Sequence, residues 1–189
     1  LGGRGVSPQS VPRGAVLERQ PGSNTRRFDV SLQMLPEQAR EKTSLPIRFH
    51  HLASETLGRL VVLSREPSPE GGTVLAQIVT EKDVSLRAGE RFILRDVSAT
   101  RTIGGGRIVD VHARRRRRSS RARLAYLRLL NKPDQRTAMQ AVLNADAGAV
   151  HLDQWFTDWG LPPQSADALG LVELAGGWAM TPTKWSILA

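Results

Sequence analysis

The sequence predicts a multidomain β + α protein, a β-barrel followed by a winged helix-turn-helix, and three observations carry that expectation. From Arg27 to Val111 apolar residues alternate with polar ones in about six short runs, punctuated by Gly, Pro and charged residues, with no helical period. After Arg118 the spacing changes to three and four residues. Between the two halves lie five consecutive arginines, Arg114 to Arg118.

Taken in order, residues 1–26 are rich in Gly, Pro, Arg and Ser around one apolar piece, Gly14 to Leu17, and read as loops around a terminal strand. Phe28, Val30, Leu32 and Met34 share one face of a first strand over 27–35. Pro36 to Pro46 reads as a loop. Strands are expected at 47–52, with Ile47, Phe49 and His51 on one face, and at 56–64, where Gly58 marks a bulge or a close backbone approach. A turn over 65–72 leads to strands at 74–81, 91–96 and 107–111. The stretch between the last two, with Gly104-Gly105-Gly106, reads as a turn and a glycine-rich bend. Many short strands of this kind close into a barrel or pack as a sandwich.

Leu124, Leu127 and Leu130 then predict a helix capped by Ser119 or Ser120. Asn131 to Asp134 breaks it and starts a second, with Pro133 in its first turn and Met139, Val142 and Leu143 as its apolar stripe. Leu152, Trp155, Phe156 and Trp159 give a third helix, ended by Gly160. A short fourth is expected within Pro162 to Leu169. Leu171 to Ala175 and Trp178 to Thr181, joined by Gly176-Gly177, read as a hairpin. Helix, helix, short helix and hairpin is the order of a winged helix-turn-helix.

Composition narrows the function. The formal net charge is +9 in 189 residues, and most of it is local: seven arginines, Arg114 to Arg118 with Arg121 and Arg123, stand together with no acid among them. Such a strap attracts a polyanion, although a solvated linker or a protein contact has the same composition. With no cysteine, disulfides, thiolate metal sites and thiol nucleophiles are excluded. No apolar run is long enough to span a bilayer and no signal peptide is visible. A soluble, cytoplasmic monomer is expected. The chain opens at Leu1 without a methionine and reads as a piece of a longer protein.

No residue pattern nominates a catalytic pair. There is no phosphate loop, since Arg107 and a strand follow the three glycines, and no His-Glu-x-x-His or Gly-x-Ser-x-Gly. His50 and His51 are adjacent on a strand and so point to opposite faces, one packing at the barrel and the other exposed. His112 and His151 are too scattered to complete a zinc set. Thr100 to Arg107 is more informative: glycines admit close backbone approach to a phosphate, and flanking arginines supply charge-assisted hydrogen bonds. A tight hairpin with its arginines in solvent has the same pattern. Trp155 and Trp159 read as core, and Pro162 to Leu169 holds no Arg, Lys or Asn with which to read bases.

Arg91 to Asp96 followed by Arg101 to Val109 resembles the end of domain III in elongation factor Tu and its relatives. Leu94-Arg95-Asp96 with Ser98-Ala99, Gly104-Gly105-Gly106-Arg107-Ile108-Val109, the arginine strap and the upstream Phe49 to Arg59 resemble the selenocysteine-specific translation elongation factors in particular. That resemblance implies a remnant of domain II over 1–25, a domain III barrel over 26–113, an Arg-rich linker and helix over 114–133, and a first winged-helix module over 134–189. It implies a role in bringing selenocysteinyl-tRNA to the ribosome at UGA codons. GTP and Mg would belong to a GTPase domain outside this chain, and selenoprotein mRNA to later winged helices. Arg48, His50, His51, Arg101, Thr102, Gly104 and Arg107 become candidate RNA contacts, with Arg114, Arg115, Arg116, Arg117, Arg118, Arg121 and Arg123 as the electrostatic strap. A winged-helix DNA-binding regulator with a β-barrel domain, or a piece of another translational GTPase, would share these features.

Overall fold

The computed structural model describes residues 22–35, 44–64, 73–146 and 148–188. Six strands alternate inward and outward side chains and close into an antiparallel barrel: β1 (Ser23–Met34), β2 (Ser44–His51), β3 (Ser54–Val62), β4 (Val74–Leu86), β5 (Arg91–Arg95) and β6 (Thr102–Asp110). Their order around the barrel is β1-β4-β3-β2-β5-β6. The inward residues of each strand fill it, with Phe28, Phe49 and Phe92 at its centre; the Phe28 and Phe49 rings lie 5.0 Å apart and the Phe49 and Phe92 rings 5.6 Å apart.

The barrel closes where β6 meets β1, and this seam explains the glycines. Gly104, Gly105 and Gly106 are not a bend; they stand inside β6, paired with β5 on one side and β1 on the other. A Cβ on Gly106 would run into the carbonyl of Ser31, and one on Gly104 into that of Gln33. Close strand approach at the closure therefore selects glycine here. The connection between β5 and β6 is a turn over residues 96–101 instead. Gly58 plays the same part between β3 and β4, where an added Cβ would lie 2.6 Å from the Val79 carbonyl. The strands also run further than alternation shows: Pro46 lies in β2, and β4 continues to Leu86 through the exposed Glu81, Lys82 and Asp83. The terminal strand expected near Gly14 to Leu17 and the turn over 65–72 lie outside the described residues.

Beyond the barrel come α1 (Arg121–Leu130), α2 (Gln135–Asn144), β7 (Val150–His151), α3 (Leu152–Trp159), β8 (Val172–Leu174), β9 (Trp178–Met180) and α4 (Pro182–Leu188). Ser120 caps α1 through its hydroxyl, which accepts from the Arg123 N–H. Asp134 caps α2, so Pro133 lies ahead of the helix rather than within its first turn. Gly160, in the left-handed region at φ 62°, ends α3. The Gly176-Gly177 hairpin forms between β8 and β9, with β7 added to make a three-stranded sheet. Pro162 to Leu169 is not a helix along its length: only Asp167–Leu169 forms a 3-10 turn, because two prolines remove successive N–H donors.

The helices are not strung from the barrel on a loose linker. Leu63, Leu75 and Val109, on its outer surface, join one apolar core with Leu127, Leu130, Met139, Val142, Leu143, Trp155 and Phe156. In α4, by contrast, Trp185, Ile187 and Leu188 are exposed.

Candidate nucleic-acid interface

Cross-strand register on β2, β5 and β6 assembles one basic surface. Arg48 stands opposite Arg95, and Arg95 opposite Thr102, so the three side chains form a row across the outer face. The neighbouring row holds His50, Ile93 and Gly105. Arg101 and Thr102 are exposed, while Arg48 and His50 are half-buried.

The turn beside this surface is built by Asp96. Its carboxylate accepts from the backbone N–H of Thr100 at 2.8 Å and of Arg101 at 2.9 Å, and from the Thr100 hydroxyl at 2.6 Å. The N–H of Arg101, followed by the Thr100 hydroxyl, holds the Asp96 carboxyl below the usual carboxylate range. Ala99 takes a left-handed φ of 56° to complete the loop. Arg48 reaches across from β2 to the Val97 carbonyl, 2.9 Å from Nη2, and also pairs with Glu55 at 3.1 Å. Arg101 is thus presented from a braced turn.

The two histidines part as their alternation requires. His51 is buried, with Nε2 2.9 Å from Glu90, whereas His50 faces outward with Nδ1 3.7 Å from Glu55 and a buried Nε2 without a partner. Burial pushes the Glu90 carboxyl up, but hydrogen bonds from His51 and the Arg87 N–H overcome it and leave Glu90 below its ordinary range.

Several sequence candidates are placed elsewhere. Gly104 is buried in the seam. Arg107 clasps the barrel to the helices: its Nη2 donates to the Pro133 carbonyl at 2.6 Å and its Nε to Gly89 at 3.3 Å. Arg123 is not part of an exposed strap. It is 5% exposed, and its Nη2 lies 2.5 Å from Asp29 and 2.6 Å from Asp110, two carboxylates that sit opposite each other on β1 and β6. The helix turn that exposes Arg121 rotates Arg123 inward. Burial works to lower the Arg123 pKa, but the Asp110 charge and the hydrogen bond to Asp29 outweigh it, so the guanidinium stays charged. Gln77 completes this buried cluster, donating to Asp29 at 2.8 Å and to the Arg114 carbonyl at 3.1 Å.

Arg114, Arg115, Arg116, Arg117 and Arg121 are exposed, as a polyanion contact needs, and Arg118 is half-buried. Arg95, at the centre of the basic row, escaped sequence reasoning. Its signal was there: Arg91, Ile93 and Arg95 alternate against the buried Phe92 and Leu94. Trp155 is core, as expected, and stacks on Trp159 at 5.9 Å.

The closed antiparallel barrel thus carries a basic outer face and a docked helical arm; no group of three or more metal-ligating side chains occurs among the described residues, and none of their helices is long and apolar enough to cross a membrane. Residues 25–115 match the model of the selenocysteine-specific elongation factor beta-barrel domain. Over this barrel the chain is similar to the selenocysteine-specific elongation factors. It is 29% identical over 133 residues to the selenocysteine-specific elongation factor of Haemophilus influenzae, covering 69% of this chain and 21% of that protein. It is 31% identical over 109 residues to the one from Escherichia coli, covering 58% and 15%. The fold matches the crystal structure of the bacterial selenocysteine-specific elongation factor EF-Sec with a TM-score of 0.57 at 12% identity, over 88% of this chain and 25% of that one. The chain thus spans about a fifth or less of the curated relatives it matches.

Proposed function

We propose that this chain supplies an RNA-holding part of a selenocysteine-specific elongation factor, gripping an arm of selenocysteinyl-tRNA as it is delivered to the ribosome. The contact surface is the outer face of β2, β5 and β6. The observation that carries this reading is the row Arg48–Arg95–Thr102 with Arg101 on its braced turn, in a barrel similar to that of those factors. Arginine forks match phosphate oxygens, and Thr102 adds a hydroxyl able to donate to them.

The helical part, from α2 to β9, has the element order of a winged helix and serves as an arm between the barrel and mRNA-binding modules of the same type. Pro162 to Leu169 carries no Arg, Lys or Asn, and Gln164 is its one amide, which fits a spacer better than a duplex-DNA reader. GTP chemistry is assigned to a separate domain of the parent protein.

The test is a filter-binding titration of selenocysteinyl-tRNA to an intact factor carrying this chain. Replacing Arg95, Arg101 and Thr102 by Ala is expected to weaken binding at least about tenfold, as removal of charge-assisted hydrogen bonds does. Unchanged affinity with an unchanged melting temperature would remove this face from the tRNA interface.

A further inference from the structure

We propose a second phosphate-binding site, on the far half of the barrel, formed by Arg27, Arg59 and Arg118 with Ser44 and Ser119, and that its ligand is the sugar-phosphate backbone of RNA. The proposal rests on the RNA-binding reading above, but on different residues and a different face.

Register places the first two arginines side by side. Arg27 on β1 and Arg59 on β3 both stand opposite Val79 on β4, so they flank it on the outer surface. An open groove of about 560 Å³ lies over this row, bordered by Val61, Val62 and Leu63 and walled by Arg118 and Ser119. No carboxylate lines it among the described residues. Arg27 Nη1 donates to Gln77 at 2.9 Å and Arg59 Nη1 to the Ser44 hydroxyl at 3.2 Å, neutral partners that orient the guanidiniums without cancelling their charge.

The strap independently points to the same place. Gln77, on β4, holds the Arg114 carbonyl and fixes where the strap leaves the barrel. Arg117 then adopts a left-handed φ of 52°, with its carbonyl accepting from the Ser120 N–H at 3.1 Å. That reversal turns Arg118 back toward the strands. In a run where Arg114 to Arg117 are exposed, Arg118 alone is half-buried, in the groove.

Three guanidiniums around one open groove repel one another, and an anion between them relieves that repulsion. The fork of each arginine suits a phosphate, and the two serine hydroxyls can donate to its remaining oxygens. Arg114 to Arg117, exposed and directly ahead of Arg118 in the chain, extend the positive charge beyond one phosphate. A polynucleotide backbone fits such a run of charge better than a free phosphate does.

The experiment is fluorescence anisotropy of a labelled RNA hairpin with the full chain, across a range of salt. Arg59→Ala with Arg118→Ala is expected to weaken binding about tenfold and to lower the salt slope by about one for every phosphate no longer neutralised. Arg59→Lys with Arg118→Lys, which keeps the charge, should retain most of the affinity. Full binding and an unchanged slope in the alanine pair, with Arg101→Ala still weakening binding, would overturn the groove alone. Absence of RNA binding by the unaltered chain would overturn both readings. Loss confined to anionic lipid vesicles, with RNA binding intact, would overturn the RNA assignment.

Discussion

Arg123 shows how far a single residue can depart from its sequence neighbourhood. By composition it belongs with the basic strap, and nothing local in Ser-Arg-Ala-Arg says which arginine turns inward. The deciding information lies far away, in Asp29 and Asp110, two acids facing one another across the barrel seam. A guanidinium buried between two carboxylates is costly to leave half-made. Arg123→Met is expected to destabilise the chain by about 3–5 kcal/mol, because the buried Asp29 and its neighbour Asp110 lose the cation they share. Adding Asp29→Asn should recover part of that loss. Urea unfolding of the two variants checks both, and an unaltered midpoint in the first would show that the cluster contributes nothing.

At the scale of elements, the strands whose side chains alternate cleanly were legible: β3 and β5 stand within two residues of where period two puts them, and β1 starts earlier than expected, at Ser23. Besides β2, which takes in Pro46, β6 and β4 depart from expectation for physical reasons. Gly104 to Gly106 have no side chains to alternate, so half of β6 looked like a bend. In β4, Glu81, Lys82 and Asp83 are exposed in succession where the pairing with β1 shifts register between Thr25 and Arg27, and alternation fails. The site was legible as residue types but not as a surface, since rows such as Arg48–Arg95–Thr102 exist only once strand register is known.

The docking of α3 on the barrel depends on another pair of distant residues. His112, just past β6, meets Asp158 at 2.8 Å, and Asp158 also accepts from Gln154 at 2.9 Å and Ser23 at 3.1 Å. The Asp158 hydrogen bond raises the His112 pKa above its ordinary 6.5, against the effect of burial. A raised histidine pKa stabilises the folded state fully below the unfolded value and loses that contribution as pH rises through the folded one. Stability should therefore fall as pH climbs from about 6.5 through the higher folded value. His112 is half-exposed, so solvent screening keeps the change to about 1 kcal/mol or less. Thermal melts across this range should show the decline, and His112→Ala should flatten it.

At the scale of the molecule, barrel and helices meet over paired groups such as Arg123 with Asp29 and Asp110, while Arg114 to Arg117 and Arg121 stand exposed. Replacing Arg114 to Arg118 by Ser should leave the fold intact and flatten the salt dependence of RNA binding, by roughly one unit of slope for each phosphate that the strap neutralises. A variant that binds with the original slope would show that the strap is only a connector. Anisotropy at several salt concentrations decides between the two.

The seam between β1 and β6 has a consequence for the order in which the chain folds. It joins the first described barrel strand to the last, reaching its longest sequence separation at Asp29 and Asp110. Loop closure over such a distance is slow, and it comes after local hairpins have formed. During synthesis β1 through β5 can pair while β1 keeps an open edge, until β6 arrives and seals it. Arg123 follows soon after β6, so the cation that neutralises Asp29 and Asp110 becomes available just as those acids are brought together. Closure of the barrel and docking of its arm are consecutive steps along a single growing chain.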